Sequence, residues 1–117
     1  MSKKILIVED NELNMKLMSD ILETSGYEVK KAINGEEALE ILSEQKFDLM
    51  ILDIQLPKKS GYEVLQEKQQ DVPTVIVSAC CMEDEVMKAK TIGCLDYITK
   101  PIKVIEFLAK IKSFLAD

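Results

Sequence analysis

Five side chains with chemistry to offer stand where short apolar runs of this sequence end. Ile5-Leu6-Ile7-Val8 runs into Glu9-Asp10, Leu49-Met50-Ile51-Leu52 into Asp53, and Val75-Ile76-Val77 into Ser78. Lys100 follows the Cys94–Ile98 run. Together they supply a carboxylate nucleophile, two further carboxylates, a hydroxyl and an ammonium. Phosphoryl transfer needs such parts, because its catalysis is positioning plus neutralisation of developing charge. Asp53 is expected to be the phosphoryl acceptor. Each residue also has a plain reading. Asp53 can start a turn, Glu9-Asp10 can favour a helix dipole, and Lys100 and Ser78 can be solvated surface groups. Singly, those readings are the stronger; the shared placement at strand ends is what scattered surface residues do not do.

The elements that must position these groups follow from periodicity. Lys3–Val8, Phe47–Leu52, Val72–Val77 and Cys94–Ile98 read as strands; the continuous apolar runs Ile5–Val8 and Leu49–Leu52 mark the first and third as buried on both faces, and the fourth is rich in β-branched residues. Tyr27–Lys31 alternates and reads as a weaker edge strand. Between them lie helical patterns. Leu13, Leu17 and Ile21 form one apolar row of the first helix, with Met18 and Leu22 in the next, and Gly26 ends that helix. Asn34-Gly35 is a hairpin signal, but the Glu36–Leu42 pattern that follows is helical, so Asn34 is expected to cap it. Ser60-Gly61-Tyr62-Glu63 looks like a capping box opening a short third helix that runs to about Lys68. Met82–Ile92 is expected to be helical, with Glu83, Asp84 and Glu85 in its first turn and Gly93 closing it. Val104, Leu108, Ile111 and Leu115 form the apolar row of a final helix.

Strand and helix alternate five times without a linker, and strand starts recur about every 20 to 25 residues, the spacing of short βα units. The expected fold is α/β: a doubly wound, five-stranded parallel sheet with helices on both faces. A flavodoxin-like order 2-1-3-4-5 sets the first and third strands side by side at the switch point. Glu9, Asp10 and Asp53 then share one pocket. Two like charges about 4 Å apart repel by roughly 4 kcal/mol at an effective dielectric near 20. Lys100 supplies one compensating charge, and the remaining acidic pocket suits Mg²⁺, which takes one or two carboxylates together with waters and phosphate oxygens.

Composition bounds the rest. The chain has 117 residues, a net charge of -6 and no histidine. Residues 1–117 are expected to form one domain. The acidic balance disfavours nucleic acid and anionic membrane surfaces, and no apolar run is long enough to span a bilayer. No signal peptide is read before the first strand. Without histidine there is no histidine acid–base catalysis, metal ligation or phosphodonor role. Cys80, Cys81 and Cys94 lack metal-ligand spacing and are expected to be reduced thiols of a cytoplasmic protein. Redox sensing by Cys80-Cys81 has nothing basic beside it to lower a thiol pKa.

Val8-Glu9-Asp10-Asn11, Leu52-Asp53-Ile54-Gln55-Leu56-Pro57, Ser78-Ala79 and Lys100-Pro101, in this order and spacing, resemble a response-regulator receiver domain of the CheY type over essentially the whole chain. The opening Val8–Leu17 is similar to single-domain cell-cycle regulators of the DivK kind, and similar openings occur in receivers of hybrid kinases. The resemblance implies a phosphoacceptor signalling protein rather than an enzyme. Asp53 would take a phosphoryl group from phosphohistidine on a histidine kinase or phosphotransfer protein. Asp10 would bind Mg²⁺ directly, Glu9 directly or through water, with Asp53 and the backbone carbonyl of Gln55 completing the protein ligands. Lys100, before a cis Pro101, would pair with the phosphoryl group. Ser78 and Tyr97 would be the switch pair; for Tyr97 a half-buried strand aromatic is the plain alternative. Cys80 would sit where the family tunes the lifetime of the phosphorylated form. Output to a downstream protein would use the Met82–Ile92 helix, the fifth strand and the final helix, in a monomer or weak dimer. The segment from Gln66 to Val72 is shorter than the family pattern, so a truncated third helix is expected.

Three other classes remain. A Mg²⁺-dependent aspartyl phosphatase needs an acid–base Asp two residues after its nucleophile, where this chain has Gln55. A flavodoxin-like cofactor binder needs a phosphate cradle after the first strand, where this chain has Glu9-Asp10-Asn11-Glu12. The last is an interaction module on the same fold that is never phosphorylated.

Overall fold

The structure is a computed structural model that describes residues 3–54, 61–67, 70–79, 87, 91 and 94–116. Five strands form one sheet, β1 Lys4–Val8, β2 Glu28–Ala32, β3 Leu49–Asp53, β4 Thr74–Ser78 and β5 Asp96–Thr99. The order is β2-β1-β3-β4-β5 and every pairing is parallel, as the alternating pattern predicts. The central strands β3 and β4 are buried along their whole length. Edge strand β2 buries only Ala32, while Glu28, Lys30 and Lys31 face solvent.

Helices α1 Glu12–Thr24, α2 Gly35–Glu44, α3 Gly61–Glu67 and α4 Val104–Leu115 flank the sheet. One apolar layer packs α1 and α4 against the sheet through Met18, Leu22, Ile51, Val75, Phe107 and Ile111. The other packs α2 and α3 through Ala38, Leu42, Met50, Leu52 and Val64. Asn11 caps α1 by accepting the Asn14 N–H at 3.0 Å. Asn34 caps α2 by accepting the Glu37 N–H at 2.8 Å, so the helix prevails over the hairpin. Gly26, at φ 95°, follows the end of α1. There the Tyr27 and Gly26 amides donate to the Leu22 and Glu23 carbonyls, a Schellman closure that only glycine reaches without strain. The expected Met82–Ile92 helix, with Glu83, Asp84, Glu85 and Gly93, lies almost wholly outside the described residues. Met87 and Thr91 are helical, and the Thr91 hydroxyl donates to the Met87 carbonyl at 2.9 Å.

Two helix faces differ from expectation. On α1 the row Leu13, Leu17, Ile21 lies at the rim: Leu13 is 79% exposed and Leu17 37%. The buried face is Met15, Met18, Ser19 and Leu22. On α4 the face turns toward Phe107 and Ile111, leaving Val104 45% exposed, with Leu108 and Leu115 only partly covered. Strand limits shift by one or two residues, a normal scatter. Strands β3, β4 and β5 each start two residues late, and for β4 the cause is local: Pro73 lacks an N–H, so the strand starts at Thr74 rather than Val72.

Gln70 ties the far end of the sheet together. Its amide donates to the Leu42 and Gln45 carbonyls at 2.7 and 2.6 Å, and its oxygen accepts the Phe47 N–H at 3.2 Å. Gln70→Ala strands three partly buried backbone groups and is expected to cost about 1–3 kcal/mol. A urea midpoint unchanged from wild type would show that water replaces the clamp.

Candidate functional site

Parallel pairing aligns the carboxyl ends of the strands, and the register fixes who meets there. Val8 pairs with Leu52, so Glu9 and Asp53 leave β1 and β3 side by side. Asp53 pairs with Val77, placing Ser78 one residue further on β4. Ser78 pairs with Thr99, and the Lys100 N–H donates to the Ser78 carbonyl at 2.8 Å. Each site residue is thus the last residue of a strand or one or two beyond.

The side chains converge. One carboxylate oxygen from each of Glu9, Asp10 and Asp53 lies within 4.8 Å of the others. Glu9 and Asp53 are buried, at 1% and 4% exposure, while Asp10 faces solvent. Lys100 reaches across them, with Nζ 2.9 Å from Asp53 Oδ2 and 2.7 Å from Glu9 Oε1. The buried Oε1 meets Lys100 as an ion pair and accepts no further hydrogen bond among the described residues. The other Glu9 oxygen, Oε2, accepts the Asn11 N–H at 3.2 Å. Asn11 therefore does two jobs that sequence reasoning left unassigned: it caps α1 and steadies Glu9.

Burial pushes the Glu9 carboxyl above its usual pKa; Lys100 and the Asn11 amide pull against this, and the Asp53 charge adds to it. For Lys100 burial acts to lower the pKa, but the contacts with Glu9 and Asp53 prevail and hold the ammonium above its usual 10.5. A base held above its unfolded value stabilises the fold fully below that value and loses the contribution as pH rises through the folded value. Wild type is therefore expected to lose stability above pH 10.5 more steeply than Lys100→Gln. Parallel denaturation curves for the two proteins across that range would refute the coupling.

Three hard oxygen donors, one of them a buried oxygen met by the Lys100 ammonium, are a donor set that fits Mg²⁺ better than a soft metal. A cleft of about 300 Å³, lined by Met15, Lys31 and Ile33 among others, opens onto Glu9 and Asp10. Gln55, Cys80 and Cys81 lie outside the described residues. Ser78 is fully buried. Tyr97 is partly buried and packs against Ile54 and Ile76 with Leu65 and Cys94. The Lys100–Pro101 peptide is cis.

Gly61 is a site residue in disguise. A Cβ there would lie 2.6 Å from the Ile54 Cα and 2.9 Å from the Asp53 carbonyl oxygen, and its N–H donates to the Ile54 carbonyl at 3.1 Å. The sequence offered only its place in a capping pattern.

The pattern of the response regulator receiver domain matches residues 5–112. The polar-differentiation response regulator DivK of Brucella anthropi is 45% identical, covering 100% of this chain and 99% of the relative. A CheY-like receiver domain protein from Methanospirillum hungatei superposes with a TM-score of 0.91 at 30% identity, covering 98% of this chain and 94% of its own. The BeF3-activated DrrB receiver domain superposes with a TM-score of 0.89 at 31% identity, with both chains covered completely. Geometry and kinship agree: the chain belongs to the response-regulator receiver family, the phosphoacceptor signalling modules of two-component systems, and is a signalling protein rather than an enzyme in the usual sense.

Proposed function

We propose that Asp53 is the residue that accepts the phosphoryl group, from phosphohistidine on a histidine kinase or a histidine phosphotransfer protein. The observation that carries this is the meeting of Glu9, Asp10, Asp53 and Lys100 at one end of the sheet. An Asp53 carboxylate oxygen attacks phosphorus as the P–N bond breaks. The electron pair stays on the departing imidazole, and an acyl phosphate remains on Asp53. Glu9, Asp10, Asp53 and the Gln55 carbonyl would hold Mg²⁺, which would supply charge neutralisation at the phosphoryl oxygens. Lys100 is already aimed at the Asp53 carboxylate and pairs with the new phosphoryl oxygens. Ser78 donates its hydroxyl to the same group, and Tyr97 turns inward behind it. Ile54 and Ile76, against which the ring packs, would have to let it pass.

The switch then acts on a downstream protein through the surface around β5 and α4. Moving such an equilibrium from 1:99 to 99:1 takes about 5.5 kcal/mol of differential binding, to which the Lys100 pair and a Ser78 hydrogen bond contribute. We place the whole chain, residues 1–117, in one cytoplasmic receiver domain, monomeric or weakly dimeric, with no nucleic-acid or membrane partner. Among the described residues no helix is long and apolar enough to cross a membrane.

The test is intact mass after exposure to acetyl phosphate with Mg²⁺ or with a chelator, followed by borohydride reduction and peptide mapping. A Mg²⁺-dependent adduct on Asp53 is expected. No adduct, or one mapped to another residue, ends the proposal.

A further inference from the structure

We propose that Ile54 is a positioning residue for Tyr97: its side chain holds the ring in its resting place and hands on to it any displacement of the neighbouring Asp53. This rests on the reading of Asp53 as acceptor and Tyr97 as switch. The register puts the parts on one face of the sheet. Leu52 pairs with Ile76 and Ile76 with Tyr97, and side chains directly opposite each other in a ladder share a face. Ile54 stands two residues beyond Leu52 and continues that row past the end of β3. The result is a small apolar cluster apart from the two main layers. Ile54 and Ile76 are its buried members, and Tyr97, Leu65 and Cys94 pack against them. Tyr97 therefore rests on the residue next in the chain to Asp53.

The Ile54 backbone is itself pinned. The Gly61 N–H donates to its carbonyl at 3.1 Å. A Cβ on Gly61 would lie 2.6 Å from the Ile54 Cα and 3.0 Å from its Cγ2. Packing this close leaves no slack, so Ile54 and the start of α3 shift together. Leu65, one turn along α3, belongs to the seat of Tyr97 and also to the α2–α3 layer. A displacement at Asp53 thus moves two walls of the seat at once. To turn inward, the ring gives up its contacts with Ile54 and Ile76 and passes between them, which it can do only when they part. This is a steric line from acceptor to switch. It runs beside the polar line through Ser78 and needs no hydroxyl.

The experiment is NMR of the full chain with ¹³C-labelled tyrosine rings, without and with Mg²⁺ and beryllofluoride as the phosphoryl mimic. Tyr97 is the signal lost in Tyr97→Phe, and its position between the two wild-type end states reads the share of inward ring. Without beryllofluoride, Ile54→Ala is expected to raise the ratio of inward to resting ring about tenfold or more, since three carbons leave the seat. Ile54→Val keeps the Cγ2 branch against Gly61 and loses one carbon, for which about fourfold is expected. Ile51→Val is the control: Ile51 lies on β3 in the opposite apolar layer, and its trimming should leave Tyr97 in the wild-type position at a similar cost in stability. In Ser78→Ala, beryllofluoride should still move Tyr97 part of the way, and it should add nothing once Ile54→Ala is also present. A wild-type Tyr97 signal in folded Ile54→Ala overturns the inference. So does an equal shift in Ile51→Val, or a Ser78→Ala chain in which beryllofluoride no longer moves the ring. If Ile54→Ala does not fold, Ile54→Val decides. A wild-type Tyr97 that ignores beryllofluoride overturns the switch reading together with this one. The acceptor reading is judged apart from both, by the acetyl phosphate adduct.

Discussion

Asp53→Asn is expected to reduce phosphoryl incorporation to background while leaving the fold intact. The amide keeps the shape of the carboxylate but has no anionic oxygen to attack phosphorus. Removing one partner of a buried ion pair usually costs about 3–5 kcal/mol, because the other charge is left uncompensated. Here Lys100 retains Glu9 at 2.7 Å, and one of three crowded negative charges is gone. The net stability change should therefore stay within about 2 kcal/mol, the two effects opposing each other. Intact mass reads the first outcome and a denaturant titration the second. Wild-type levels of adduct in Asp53→Asn would assign the acceptor elsewhere, and collapse of the fold would make Asp53 a structural residue.

Gly61→Ala is the next largest effect, and it comes from a residue with no side chain to react. The new methyl would press on the Ile54 Cα and the Asp53 carbonyl oxygen. Those are backbone atoms of the segment that carries Asp53, the proposed acceptor, so either α3 withdraws or Asp53 moves. Overpacking of this kind costs about 1–3 kcal/mol. A displacement near 1 Å at a reacting group can cost roughly a hundredfold in rate. Phosphorylation by acetyl phosphate, measured well below the unfolding midpoint, is expected to slow by about that factor. Val64→Ala is the control: Val64 lies on the same helix, fully buried in the α2–α3 layer. It should cost a similar roughly 1–3 kcal/mol without touching Asp53. Equal rates in the two variants would mean that Gly61 serves the fold alone.

The site was legible because its grammar is topological. Apolar runs ending in Asp53, Ser78 and Glu9-Asp10 read as buried strands with chemistry at one end, and parallel pairing leaves those ends nowhere to go but together. Asn34 was legible for a similar reason: a helical run behind it overruled the hairpin dipeptide. The faces of α1 and α4 were not. Both helices carry apolar residues on more than one row, and periodicity cannot say which row the sheet covers. On α1 the sheet takes the methionines and Ser19, leaving Leu13 outside. On α4 it takes Phe107. Gly61 stayed hidden because an absent Cβ leaves no pattern; only the approach of the Asp53–Ile54 backbone reveals why glycine stands there. Lys100 was expected at Asp53, yet its equal claim on Glu9 depends on side-chain reach that no spacing rule supplies.

The outer strand β2 has a consequence for how molecules of this protein meet. Its ladder faces an open side, yet it presents Glu28, Lys30 and Lys31 there rather than an apolar ribbon. A second molecule adding antiparallel about the middle of this strand would set Lys30 directly against its own copy, and like charges opposed across a ladder disfavour pairing. Crowding at the bench or in the cell should therefore not zip these sheets into longer ones along that border.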